Sequence, residues 1–147
     1  MYENGRGVKQ DYFKAVEWYQ KAAEQGYADA QYFLGNMYYV GQGVKQDNFK
    51  AFEWYQKAAE QGNAYAQCGL GFMYQYGQGL KQDYFKAVEW YQKAAEQGYA
   101  YAQFNLGFMY YNGEGVRQNY TKAKEYFGLA CDNKDQAGCD MYKKLNQ

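Results

Sequence analysis

The stretch VKQDYFKAVEWYQKAAEQGYA at residues 8–28 returns as LKQDYFKAVEWYQKAAEQGYA at residues 80–100, with a single difference. A third copy at residues 44–64 differs from both in only a few places, and a more divergent fourth copy begins at Val116. The copies start 36 residues apart. Self-similarity at a fixed period of this length is the signature of a repeat architecture, in which units stack on their neighbours to bury a continuous core.

Each unit is predicted to fold as two helices. In the second full unit, apolar residues recur at helical spacing over residues 64–76, which predicts a first helix, A. The glycines of GQG then supply the left-handed conformation that ends a helix. Asp83 is a favourable N-cap for a second helix, B, which is predicted to run to about Gln97. Within helix B, Glu89 stands four residues before Lys93 and predicts a helical ion pair.

These residues resemble the Sel-one-like repeat family, a relative of the tetratricopeptide repeat. The family pattern is matched at Ala28, Ala30, Leu34, Gly35, Tyr38, Gly41, Gly43, Val44, Asp47, Lys50, Ala51, Trp54, Tyr55, Lys57, Ala58, Ala59 and Gly62. The resemblance implies an all-α fold, a right-handed α/α superhelical solenoid of about 36-residue helix-turn-helix repeats. It also implies an adaptor or scaffold that binds proteins or peptides, often in bacteria that live on hosts.

The predicted organisation is a single repeat domain with atypical ends. Its parts are a partial first repeat, three further repeats and a C-terminal capping helix, at residues 1–27, 28–63, 64–99, 100–134 and 135–147. Because Met1 aligns with Met37, the sequence starts near the end of a helix A, which predicts either a fragment of a longer array or self-association through the incomplete first repeat. In the last unit Lys124 replaces valine, as expected where the outer face of a capping repeat meets water.

The last unit also resembles the Helicobacter cysteine-rich branch of the family, where a cysteine near the end of helix B pairs with one eight residues later. Cys131 and Cys139 have this spacing, so the resemblance implies a disulfide between them. Two unpaired or redox-active thiols are the alternative. A disulfide predicts a periplasmic, secreted or surface location, and reduced cysteines predict a cytoplasmic one. Cys68 is expected to be an ordinary exposed or half-buried thiol.

Positions that vary between copies are free to serve a partner. On helix A such positions fall at spacing 0, 4, 7 and 11, pointing away from the predicted core. We call this set the helix-A stripe. It consists of Asp29, Phe33, Asn36, Val40, Tyr65, Gly69, Phe72, Tyr76, Tyr101, Asn105, Phe108 and Asn112. Helix A lines the concave surface in related solenoids, so the stripe is predicted to bind a protein or peptide. The alternative is that individual aromatics pack against the adjacent repeat.

Composition argues against several other functions. The chain has no His and no net charge, with 16 basic and 16 acidic residues, so no nucleic-acid partner is predicted. It also has no Ser, which together with the absence of His removes the serine and zinc mechanisms of the penicillin-binding or β-lactamase activity attributed to relatives. We therefore expect no enzyme activity, no catalytic or metal-binding residue, no cofactor and no membrane insertion. An engineered consensus array without a ligand is the remaining alternative.

Overall fold

The computed structural model describes the backbone of residues 5–147 and the side chains from Asp11 onward. All regular elements in this part of the chain are α-helices, eight in number, which confirms the all-α class. Their bounds are α1 Gly5–Glu24, α2 Ala28–Val40, α3 Asn48–Glu60, α4 Ala64–Tyr76, α5 Tyr84–Glu96, α6 Ala100–Asn112, α7 Tyr120–Asp132 and α8 Gln136–Leu145. Helices α2, α4 and α6 are the predicted A helices, and α3, α5 and α7 are the B helices.

The chain divides into two compact units between Ala66 and Gln67. In the first unit, α1, α2 and α3 enclose a cluster of small and aliphatic side chains, against which aromatic residues pack. Its members are Ala23, Ala30 and Leu34, with Val16, Tyr19, Ala22, Tyr38 and Trp54 packed around them. In the second unit the largest fully buried side chains are Leu70, Met73, Tyr91, Leu106, Met109 and Phe127. Positions that are constant between copies, such as that of Leu34, Leu70 and Leu106, thus contribute to the core of each unit.

Local signals set the ends of the helices. The carboxylate of Asp83 accepts a hydrogen bond from the backbone N–H of Lys86 at 3.1 Å, as predicted for an N-cap. Gly113 ends α6 in the left-handed conformation, with a φ of 70°. Asp11 occupies the position equivalent to Asp83, but α1 begins at Gly5, so Asp11 lies inside this helix and does not cap it.

The lysines of helix B take aromatic partners and not acidic ones. The ammonium of Lys93 lies 4.4 Å from the centre of the Trp90 ring, and Lys57 lies 4.5 Å from the centre of the Trp54 ring. The predicted ion pair between Glu89 and Lys93 is therefore wrong. An ammonium over an indole face gains cation–π attraction while its aliphatic stem covers apolar surface.

Glycines on helix A allow the two helices of a unit to approach closely. A Cβ atom added at Gly71 would lie 2.6 Å from a ring carbon of Tyr91, and one at Gly107 would lie 2.9 Å from the ring of Phe127. Such distances are closer than packed carbon atoms tolerate. This glycine is constant between the copies because an aromatic ring fills the space that a side chain would need.

A buried glutamine on α2 and another on α6 link these A helices to the helices on either side. Gln103 is 3% exposed, and its amide donates to the carbonyl oxygen of Ala95 at 3.1 Å. Its own side-chain oxygen accepts from Asn133 at 3.0 Å. Gln31 has the equivalent arrangement in the first unit, where it bonds Ala23 and Gln61. A buried amide needs such partners, because an unsatisfied one costs about 1–3 kcal/mol.

Candidate functional site: the helix-A stripe

Most of the helix-A stripe is open to solvent. Seven of its residues are exposed, namely Asp29, Phe33, Val40, Tyr65, Tyr76, Tyr101 and Asn112. The five partly buried residues are Asn36, Gly69, Phe72, Asn105 and Phe108. Exposed fractions of 53% for Tyr65, 58% for Tyr76 and 49% for Tyr101 are large for tyrosines on a folded protein. An aromatic ring that remains this exposed contributes little to the core and presents contact area to solvent.

In the first unit the stripe is part of a continuous row of aromatic rings. The ring centre of Phe33 lies 5.3 Å from that of Tyr19 and 5.4 Å from that of Tyr32. Tyr32 in turn lies 5.6 Å from Tyr65. These spacings are those of stacked and tilted aromatic pairs. Sequence reasoning missed Tyr32, which varies between copies like the stripe but lies one position off its spacing.

Two polar residues of the stripe have partners within the fold. The hydroxyl of Tyr55 donates a hydrogen bond to the side-chain oxygen of Asn36. The side-chain amide of Asn63 donates to the Asp29 carboxylate at 3.0 Å, while the Asn63 oxygen caps the first turn of α4. Asn36 and Asp29 therefore also position neighbouring helices, as the alternative interpretation of the stripe allowed for individual residues.

In the second unit, the partly buried aromatic residues of the stripe support the exposed ones. Phe72 lies 4.7 Å from the exposed ring of Tyr76. Phe108 packs edge-on against the buried Phe127 at 5.9 Å and also contacts Phe104. Phe108 thus serves mainly to pack within the fold, whereas Tyr76 presents its ring to solvent, where a partner could contact it.

A small polar cluster lies beneath Tyr101. Cys68 is only 4% exposed, so the expectation of an exposed or half-buried thiol is wrong. Burial raises the pKa of Cys68 to about 12, and the neighbouring Asn105 amide opposes the rise only partly. Burial also raises the pKa of Tyr101. Because little of the Cys68 thiol ionises near neutral pH, this cysteine is poorly suited to be a nucleophile.

A disulfide joins Cys131 near the end of α7 to Cys139 in α8, with 4.4 Å between their Cα atoms. This is the pairing that the resemblance implied. In the chain-entropy account, closing so short a loop stabilises the fold by about 2–3 kcal/mol. The bond fixes α8 against α7, where Gly138 already packs closely on Ala130.

The state of the cysteines predicts a specific thiol count. We expect denatured, unreduced protein to release one thiol, that of Cys68, and native protein to react with a thiol reagent far more slowly because Cys68 is buried. A colorimetric thiol titration with and without denaturant measures both values. Three thiols in the denatured sample would contradict the disulfide, and a fast native reaction would contradict the burial of Cys68.

The described residues contain no group of three or more Cys, Asp or Glu side chains arranged to hold a metal ion. In the same part of the chain, no helix has the length and apolar character needed to cross a bilayer.

The architecture is that of an α/α repeat protein, with exposed aromatic residues of the helix-A stripe on the A helices. The profile of the Sel1 repeat matches residues 1–27, 28–63, 64–99 and 100–135. The chain therefore belongs to the Sel1 repeat family, whose members generally act as protein-interaction scaffolds. A search of curated proteins finds no match.

Several solved bacterial structures are similar. A protective antigen of uropathogenic Escherichia coli strains, which displays the same repeat fold, is 42% identical over 84% of this chain, with a TM-score of 0.82. A Sel1 repeat protein from Oxalobacter formigenes is 37% identical over 95% of the chain, with a TM-score of 0.87. The chain spans only 26% and 57% of these two proteins. Helicobacter pylori cysteine rich protein B is 30% identical, with a TM-score of 0.72, and the match covers 91% of this chain and 96% of that protein.

Proposed function

We propose that this protein is a non-catalytic scaffold that binds a protein or peptide through the helix-A stripe. The observation that carries the proposal is the exposure of Tyr65, Tyr76 and Tyr101, three tyrosines at stripe positions, each about half open to solvent. Tyrosine contributes a large contact area with little loss of conformational freedom and is enriched among the residues that dominate binding energy. The general role of the family supports the same conclusion.

The chemistry of the stripe favours a partner surface that is uncharged and contains both polar and apolar groups. Asp29 is its one charged residue, and the carboxylate of Asp29 already accepts a hydrogen bond from Asn63. Interface cores are typically depleted of charge and enriched in aromatic residues. Binding through the stripe should therefore depend weakly on salt concentration, in contrast to binding steered by charge.

Replacing Tyr65, Tyr76 and Tyr101 together with alanine is expected to abolish partner binding and to leave the helical content unchanged. The three rings are exposed, so their loss removes contact area without opening a cavity in the core. The measurement is affinity capture from bacterial and host lysates followed by mass spectrometry, with circular dichroism of each variant.

The matched control replaces Phe13, Phe49 and Phe85, which are 59%, 59% and 72% exposed on α1, α3 and α5. This control removes the same number of exposed aromatic rings from helices outside the stripe. A protein captured by the wild type and the control but lost with the stripe variant supports the proposal. Equal capture by all three, or no captured protein, contradicts it.

We further propose a bacterial, host-associated setting and an oxidising compartment, the periplasm or the cell surface. The disulfide between Cys131 and Cys139 supports the compartment, since such bonds persist mainly outside the cytosol. The bacterial origin of the similar structures supports the setting. Alkylation of thiols in intact cells tests the compartment, because a cytosolic protein would keep all three cysteines reduced. Self-association through the first repeat stays a prediction.

A further inference from the structure

A cleft separate from the helix-A stripe lies on the surface formed by α7 and α8. Its volume is about 560 Å³. It is lined by Glu125, Gly128, Leu129, Cys131, Asp132 and Tyr142. Leu129 is 45% exposed and Tyr142 is 38% exposed, so apolar surface faces water here.

Two departures from the repeat distinguish the lining of this cleft. Gly128 stands where the other three copies carry glutamine, at residues 20, 56 and 92. Leu129 stands where they carry lysine, at residues 21, 57 and 93. A surface that faces solvent is expected to keep polar side chains, yet both changes remove one. A Cβ atom added at Gly128 would lie 3.1 Å from the ring of Tyr142, so the glycine lets this ring pack against α7, and the leucine makes the adjoining wall apolar.

The same departure leaves a carboxylate without the donor that its equivalents have in α1 and α3. In α1 the amide of Gln20 donates to the Glu24 carboxylate at 2.8 Å, and in α3 the amide of Gln56 donates to Glu60 at 3.3 Å. Asp132 occupies the position equivalent to Glu24 and Glu60, but Gly128 has no amide to offer. A carboxylate at the rim of an apolar cleft is therefore open to a donor from another molecule.

The charged side chains that line the cleft are acidic. Among the described residues, Glu125 and Asp132 are the charged ones that line it. The adjacent Lys124 is engaged elsewhere: its ammonium lies 5.4 Å from the centre of the Tyr142 ring and bonds the side chain of Asn146. The cleft thus combines an apolar floor with an acidic rim, which is complementary to an apolar side chain beside a cationic one.

We propose that this cleft is a second docking site, which binds a protein segment carrying an aliphatic side chain next to lysine or arginine. The aliphatic side chain lies between Leu129, the Tyr142 ring and the disulfide sulfur of Cys131. The neighbouring cation pairs with Asp132 or Glu125. This site is independent of the helix-A stripe and does not require that the stripe bind anything.

The test is a titration of ¹⁵N-labelled protein with the capped peptide Gly-Lys-Leu-Lys-Gly, followed by NMR. We expect saturable shifts of the backbone amides of Gly128, Leu129, Asp132 and Tyr142. The peptide Gly-Glu-Leu-Glu-Gly, which keeps the leucine and reverses the charge, is expected to leave these amides unchanged. Weaker shifts at higher salt are the expected signature of the ionic contact.

The decisive variant is Gly128→Gln with Leu129→Lys, which restores the sequence of the other copies. We expect the dissociation constant for the lysine peptide to rise about tenfold, equivalent to ~1.4 kcal/mol. Asp132→Asn should weaken binding without altering the fold, which covers the case in which the double variant is unstable. As a matched control, Lys93→Leu places a leucine at the same position of α5, where Gln92 is retained, and should create no new site.

Three results would each overturn the proposal. The first is the absence of saturable shifts on α7 and α8. The second is equal binding of the glutamate peptide. The third is unchanged affinity in the restored variant together with unchanged affinity in Asp132→Asn.

Discussion

Replacing Gly71 with valine is expected to lower the free energy of unfolding by about 3 kcal/mol, near the upper end for overpacked cores. Even the first added carbon would lie 2.6 Å from the ring of Tyr91. The ring has no room to retreat, because Tyr91 is fully buried and its hydroxyl bonds the side chain of Gln75 at 2.7 Å. Denaturant unfolding followed by circular dichroism measures the loss.

Thr121→Val is the control for this substitution. Thr121 is exposed on α7, so this variant introduces the same residue into a helix at a site where the side chain faces solvent. Its stability should stay within about 0.5 kcal/mol of the wild type. If Gly71→Val were as stable as this control, that result would contradict the close packing of α4 against α5.

Replacing Tyr91 with alanine is expected to cost about 3–5 kcal/mol, because a fully buried aromatic side chain leaves a large cavity. Domain stabilities are about 5–15 kcal/mol, so this one change removes much of the margin. Tyr91→Phe should cost only about 1 kcal/mol, the value of its hydrogen bond to Gln75. Phe127 occupies the equivalent position of the next repeat. It is also fully buried but has no hydroxyl, which shows that the ring does most of the packing.

The two substitutions should also interact. In the Tyr91→Ala background the valine at Gly71 enters vacated space, so its penalty should fall by at least about 1 kcal/mol, within the range measured for residues in contact. Additive effects would show that the two side chains do not meet. Equal losses for Tyr91→Ala and Tyr91→Phe would show that the ring is not buried as described.

The helices could be predicted closely because their signals are local. A period of 3.6, glycines that adopt positive φ and an aspartate cap define α4 and α5 without knowledge of the rest of the fold. The structure places these helices at Ala64–Tyr76 and Tyr84–Glu96. The family resemblance added the disulfide, which spacing alone left open.

Features that depend on a distant partner were not predicted. Gln103 is buried because Ala95 and Asn133 satisfy its amide, and neither partner is evident from a single copy. Lys93 lies over the ring of Trp90, a contact that the four-residue spacing of Glu89 and Lys93 does not indicate. For the stripe, helical spacing identified exposed positions such as Tyr101, but the contact of Asn36 with Tyr55 appears only once α2 and α3 are packed.

The most direct test of the central claim is photo-crosslinking with benzoylphenylalanine in place of a single aromatic residue. One probe replaces Tyr101 in the helix-A stripe, and the other replaces Phe85, which is 72% exposed on helix B. Both probes are mixed with the captured partner and irradiated, and adducts are read by mass spectrometry. The account predicts a partner adduct from the Tyr101 position and none from the Phe85 position. An adduct from Phe85 alone, or equal adducts from both, would contradict it.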